Sequence, residues 1–195
     1  MFARCLPTTV TLPRLSAASS SFRAFHTTLP LSVKIGDPIP STELHESSPG
    51  NKINLANELS SQKKALIIGV PGAFSPACSA SHVPGYISHP ALKNAGKVFV
   101  IGVNDAFVMK SWGEGLDPEG KSGVRFLADP QGEFTRELDL LFDAGKIFGN
   151  ERSKRYALVV EEGRVKGAYV EPDNTGVDGM LFFSFLRGRF GVLEG

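Results

Sequence analysis

Three short apolar runs set the frame of this chain. Lys64 to Val70 (KALIIGV), Lys97 to Val103 (KVFVIGV) and Val124 to Ala128 (VRFLA) lack the alternation of a half-buried strand. Each is bounded by turn residues, which predicts strands buried on both faces. Between them the pattern turns helical. Ser75-Pro76 opens one helix, because Ser favours the N-cap and Pro the first helical position. Pro84-Gly85 should kink or interrupt it. Asp105 to Trp112 (DAFVMKSW) predicts a second helix with Asp105 near its start, followed by a loop over 113–123 (GEGLDPEGKSG). Asp129-Pro130-Gln131-Gly132 predicts a turn, and Glu133 to Leu141 a third helix. Arg155 to Val160 and Val165 to Val170 flank Glu161-Glu162-Gly163-Arg164, a hairpin signal. Asp178 to Arg187 predicts a closing helix. Alternating strands and helices followed by an antiparallel pair imply an α/β domain. The expected architecture is a thioredoxin-like fold whose central mixed sheet is flanked by helices on both faces.

Composition divides the chain in two. Of its 195 residues, 1–32 contain Arg4, Arg14 and Arg23 and no acid. They are rich in Ser, Thr and Ala, the composition of a transit peptide and not of a secretory signal. Arg23-Ala24-Phe25-His26-Thr27-Thr28 resembles a two-step mitochondrial processing site and would put the mature start near Val33. The expected division is therefore a leader over 1–32 and one domain over 33–195. The expected address is the mitochondrial matrix, with the cytosol as fallback. Without the leader, 18 basic residues face 20 acidic ones. That balance gives no basic face for nucleic acid. No run reaches the roughly 18 apolar residues of a membrane span.

Two cysteines, Cys5 and Cys78, are too few for a disulfide framework. Cys5 lies in the leader, so the folded part keeps one thiol, which suits a reducing compartment. With Ser75 at the N-cap and Pro76 at the first helical position, Cys78 falls at the third. There the unpaired backbone N–H groups and the positive helix end favour an anion. Cysteine attacks as the thiolate, so this placement makes Cys78 a candidate nucleophile. The Ser75 hydroxyl can donate to a sulfur or a peroxide oxygen, and Pro71 and Pro76 stiffen the loop. His82, one turn on, could pair with the thiol, but packing of its ring between helix and sheet is the favoured reading. His45 and His89 read as surface residues. No spacing of histidines, carboxylates and cysteine resembles a metal site. A phosphatase loop would need an arginine where Pro84 stands. Cys78-Ser79-Ala80-Ser81 also fits the C-x-x-S of monothiol exchangers. Where those proteins place a proline facing the cysteine, this chain has Lys154-Arg155-Tyr156. A fixed cation there, Arg155, favours peroxide chemistry over disulfide exchange.

The stretch Pro71 to Tyr86 (PGAFSPACSASHVPGY) resembles the active-site segment of peroxiredoxins, specifically the type II or peroxiredoxin-5-like branch. Its P-x-x-x-[ST]-x-x-C signature falls on Pro71, Ser75 and Cys78, with Ser in place of the commoner Thr. The later arginine of that family falls on Arg155. GVNDAFVMKSW, RFLADPQGEF and VEPDNTG are similar as well. The resemblance implies a peroxidatic Cys78 that becomes a sulfenic acid, with Arg155 and Ser75 polarising the peroxide and Pro71 shielding the site. It implies hydrogen peroxide and organic hydroperoxides as substrates, no metal, haem or flavin cofactor, and a homodimer formed through the active-site face. Many members carry a second, resolving cysteine after the EP-D-x-T-G segment. Here 171–180 (EPDNTGVDGM) holds none. A one-cysteine cycle follows, finished by an external thiol: glutathione with glutaredoxin, or thioredoxin. A redox-sensing binding protein and a monothiol exchanger are the readings from other classes.

Overall fold

The structure, a computed structural model, describes residues 33–176. The leader and the closing helix expected over Asp178 to Arg187 lie outside them. The described chain opens with a hairpin, β1 (Glu43–Glu46) and β2 (Ser48–Asn54), and a short helix α1 (Leu55–Leu59). β3 (Ala65–Val70) leads into a π turn (Cys78–His82), α2 (Val83–Ser88) and a 3₁₀ turn (Pro90–Asn94). Then come β4 (Lys97–Gly102), α3 (Ala106–Leu116), β5 (Val124–Ala128) and α4 (Glu133–Glu137). The described chain ends with β6 (Leu141–Asp143), α5 (Gly145–Phe148), β7 (Glu151–Ser153), β8 (Tyr156–Glu161) and β9 (Arg164–Val170).

Seven strands form one mixed sheet in the order β2-β1-β5-β4-β3-β8-β9. β3, β4 and β5 run parallel to their neighbours among themselves, and the outer pairs are antiparallel. The three apolar runs are thus its central strands, and every residue of β3 is buried. Leu66, Ile68 and Val70 pack on one face with Val83, Tyr86, Met109 and Trp112. Ala65 and Ile67 pack on the other with Leu55, Leu59, Phe134 and Leu138. Helices therefore cover both faces, as the alternation predicts. Cys78 belongs to the first cluster.

Several boundaries move. α3 runs on to Leu116, one turn into the stretch predicted as loop. Gly113 permits this: it is buried, and its missing side chain lets α3 lie against Phe126 of β5. The helix predicted over 133–141 stops at Glu137. Asp139 takes a positive φ of 56°, and Leu138 and Leu140, two apart, both point into the core, which a helix cannot arrange. β6 follows and pairs with β7 in a separate two-stranded sheet. The late strand begins at Tyr156, one residue after Arg155. Its hairpin turn uses Glu162 and Gly163 at φ 51° and 71°, the conformation that two-residue turns need.

Candidate active site

β3 delivers the chain to Pro71 and Gly72, both buried. The loop that follows is tied down at three atoms. Ala73 N–H donates to Asn104 Oδ1 at 3.1 Å. Ser75 N–H and Ser75 Oγ both donate to the Gly72 carbonyl, at 3.4 and 2.9 Å. Phe74, at φ 59°, turns the chain between them and leaves its ring exposed. Ser79 N–H then donates to Ser75 O at 3.0 Å, the first helical bond. Pro76 and Ala77 are helical, so Cys78 stands at the third position. The Ser75 side chain itself does not cap the helix. Its proton is engaged by Gly72, and its lone pairs remain for a donor.

The expected break at Pro84 takes the form of a π turn. Val83 N–H donates to Cys78 O, five residues back. Proline has no N–H, and its ring collides with the carbonyl four residues earlier in an α-helix. The wider turn relieves that collision and keeps the helix running on to Ser88.

Arg155 enters from the far side of the sequence. It is 1% exposed, just ahead of β8, and Nη1 lies 3.4 Å from Cys78 Sγ across 77 residues. The rest of its fork is fixed by carbonyls: Nε donates to Gly176 O at 2.7 Å and Nη2 to Thr175 O at 2.9 Å. A guanidinium N–H and a helix N-terminus converge on one buried thiol. Both are groups that attract negative charge, and both face the same atom.

The other candidates fall into place around this pair. His82 is 6% exposed, meets Tyr86 edge-to-face at 5.4 Å, and its Nδ1 has no hydrogen-bond partner. Desolvation, and then the charge of Arg155, push its pKa down to about 3. It is a neutral packing residue and not the thiol's cation. His89 is half-buried, and its Nδ1 caps the 3₁₀ turn by accepting from Ala91 N–H at 3.1 Å. His45 is half-buried too, with its Nδ1 enclosed. Neither is the surface residue expected. Among the described residues, no group of His, Cys, Asp or Glu could hold a metal ion. No helix among them is long and apolar enough to cross a membrane.

Three supports of the site are not visible from the sequence pattern. Trp112 Nε1 donates to Ser79 Oγ at 3.0 Å, next to the cysteine. Asn104 holds the loop ahead of it. Phe148, beneath the Arg152 guanidinium, packs on Gly72. Each joins residues far apart in sequence, and no local spacing announces such a pair.

The chain matches the family described as Redoxin over residues 34–181. Peroxisomal membrane associated protein 20 of Schizosaccharomyces pombe is 45% identical over 149 residues, 75% of this chain and 92% of that protein. Peroxiredoxin-2E, chloroplastic, of Arabidopsis thaliana is 38% identical over 162 residues, 78% of this chain and 68% of that protein. The crystal structure of peroxiredoxin 5 from Alvinella pompejana superposes with a TM-score of 0.66 at 36% identity, covering 78% of this chain and 99% of the other.

Proposed function

The chain belongs to the Redoxin family as a peroxiredoxin of the type II (peroxiredoxin-5-like) kind, a thiol peroxidase, and from that premise we propose a one-cysteine cycle run by Cys78. The observation that carries it is the Arg155 Nη1 to Cys78 Sγ distance of 3.4 Å. The thiolate attacks one oxygen of hydrogen peroxide or an organic hydroperoxide. The O–O bond breaks as the S–O bond forms. The other oxygen leaves, protonated, as water or an alcohol, and sulfur is oxidised to the sulfenic acid. Arg155 holds the anion before attack and the charge spread over the oxygens during it. With its proton on the Gly72 carbonyl, the Ser75 hydroxyl orients the peroxide by accepting from its O–H instead of donating, and Pro71 closes the site to water.

The second half of the cycle needs a thiol from elsewhere, because Cys5 is the chain's other cysteine and lies in the leader. One external thiol attacks the sulfenic sulfur, releasing water and leaving a mixed disulfide. A second thiol returns Cys78 to the reduced state. Glutathione with glutaredoxin, or thioredoxin, supplies these two electrons. Peroxide turnover with each reductant, wild type against Cys78→Ser, tests the cycle. Turnover should vanish in the variant, and comparable rates would refute it.

The leader's composition supports a mitochondrial matrix address. The relatives' names carry peroxisomal and chloroplastic addresses, so this assignment rests on residues 1–32 alone. Mass spectrometry of the protein from cells should find its N-terminus near Val33; an intact Met1 would overturn the assignment. Apolar side chains around the site support a homodimer through that face. Phe74, Phe107 and Ile147 are 59%, 63% and 72% exposed. Phe74 belongs to the site loop, Phe107 lies in the first turn of the helix after Asn104, and Ile147 adjoins Phe148 on Gly72.

A further inference from the structure

The segment after β9, Glu171-Pro172-Asp173-Asn174-Thr175-Gly176, closes around Arg155. Its backbone makes four hydrogen bonds to that one residue. Arg155 N–H donates to Asn174 O at 2.9 Å, and Glu171 N–H donates to Arg155 O at 2.9 Å. Nε and Nη2 donate to the Gly176 and Thr175 carbonyls. An arginine fork is planar, so fixing two of its nitrogens aims the third. Here the third is Nη1, on Cys78 Sγ.

What then aims the carbonyls? The Thr175 carbonyl and the Gly176 N–H belong to one planar peptide unit and point in opposite directions. The carbonyl end meets Arg155 Nη2. The N–H end donates to Asp173 Oδ1 at 2.7 Å. A carboxylate on the N–H both orients that peptide and polarises its carbonyl toward the guanidinium. Gly176 suits the arrangement, because a Cβ there would run into the Asp173 carboxylate. Asn174, at φ 68°, turns the chain back so that Asp173 can reach.

We infer that Asp173 is a positioning residue for the peroxide reaction: it orients the Thr175–Gly176 peptide, and through it the Arg155 nitrogen that faces Cys78. This rests on the catalytic reading of Arg155 above, and the experiment separates the two. Single-turnover oxidation of Cys78 by peroxide is followed in wild type, Asp173→Ala, Asp173→Asn, Arg155→Ala and the Asp173→Ala/Arg155→Ala double variant. The pH profile of Cys78 alkylation is measured on each. Asp173→Ala should slow oxidation roughly three- to tenfold, the weight of one ordinary hydrogen bond, since Asp173 acts through the peptide and not on the peroxide. It should also move the alkylation profile to higher pH. Asp173→Asn keeps the Oδ1 acceptor and should restore the rate to within about twofold. The double variant should be no slower than Arg155→Ala, because residues in one relay do not add. Wild-type kinetics in Asp173→Ala beside a slow Arg155→Ala would overturn the inference alone. So would a full additive loss in the double variant. Wild-type kinetics in Arg155→Ala would overturn the reading of the site itself. If Asp173→Ala is too unstable to assay, Asp173→Asn against Asp173→Leu decides, because leucine keeps the bulk and offers no acceptor to Gly176 N–H: only the leucine variant should be slow.

Discussion

His82 shows how burial decides what a residue does. Sequence puts it one turn after Cys78, where a charged imidazole would activate the thiol. The fold buries it against Tyr86 and near Arg155, and both effects oppose its charge. Arg155 tolerates the same depth because carbonyls of the 171–176 segment receive its N–H groups. The cation at the sulfur is therefore arginine, its planar fork fixed by two backbone carbonyls. The cost of keeping His82 neutral appears elsewhere. Its pKa is 6.5 in the unfolded chain and about 3 when folded. Between those values the unfolded chain binds the extra proton, so stability is complete above pH 6.5 and is lost as pH falls toward 3. The slope can reach about 1.4 kcal/mol per pH unit. His82→Phe keeps an aromatic ring on Tyr86 and should flatten the fall in urea-unfolding free energy between pH 6 and 4. An unchanged slope would show that other groups carry the acid sensitivity.

At the scale of elements, small residues and turns place the chemistry. The π turn at Cys78 exists because Pro84 cannot complete an α turn. α3 is drawn onto the sheet by Gly113, and its Trp112 then reaches Ser79 beside the cysteine. A Cβ at Gly113 would lie 2.6 Å from Phe126 Cδ2 and 2.7 Å from Cγ. Two effects compete in Gly113→Ala. Alanine gains about 1 kcal/mol of helix propensity, and overpacking costs about 1–3 kcal/mol. Trp112 stacks edge-to-face on the same Phe126 ring, which leaves that ring little room to yield. The expected net is a loss of about 1–2 kcal/mol in urea unfolding, and a more stable variant would show that the ring can move. The N-terminal hairpin illustrates the opposite case, an element with almost no apolar pattern. Leu44 is its one fully buried side chain. It is held by pairing of β1 with β5 and by a two-pronged Arg125–Glu46 ion pair at 2.8 Å on each prong. Arg125 also reaches Glu58 of α1, which Lys97 of β4 shares.

For the whole molecule, the question is what covers the site. The loop before Cys78, the start of α3 and α5 each present a large apolar side chain to solvent, and all three are tied to the loop itself. Singly such residues need no explanation; the proposed homodimer would cover all three. A symmetric dimer would bury the same patch on both copies. Sedimentation equilibrium should find a dimer for wild type and a monomer for Phe107→Glu combined with Ile147→Asp. A monomeric wild type at micromolar concentration would remove the dimer.

The strongest signals in this chain were local, and the sequence determined whatever depends on them. Apolar runs identified the central strands because burial on both faces leaves no room for polar side chains. Ser75, Pro76 and Cys78 located the cysteine at a helix start because the fixed φ of Pro76 suits a first helical position, although the Ser75 side chain bonds Gly72 instead of capping. The EPDNTG stretch was visible as a motif, with no sign of what it does. Tertiary structure alone decided the polar hairpin, the small β6–β7 sheet and the early end of the helix after Gly132, since strand pairing and core packing there override weak local preference. The sequence already pointed to Arg155 as the cation for the thiol, and tertiary structure decided how it is held there. The 3.4 Å contact joins residues 77 apart, and Arg155 is aimed by carbonyls whose amino-acid identity the backbone does not need. A backbone acceptor leaves no mark in side-chain chemistry, so the clamp around Arg155 could be read only once the chain had folded.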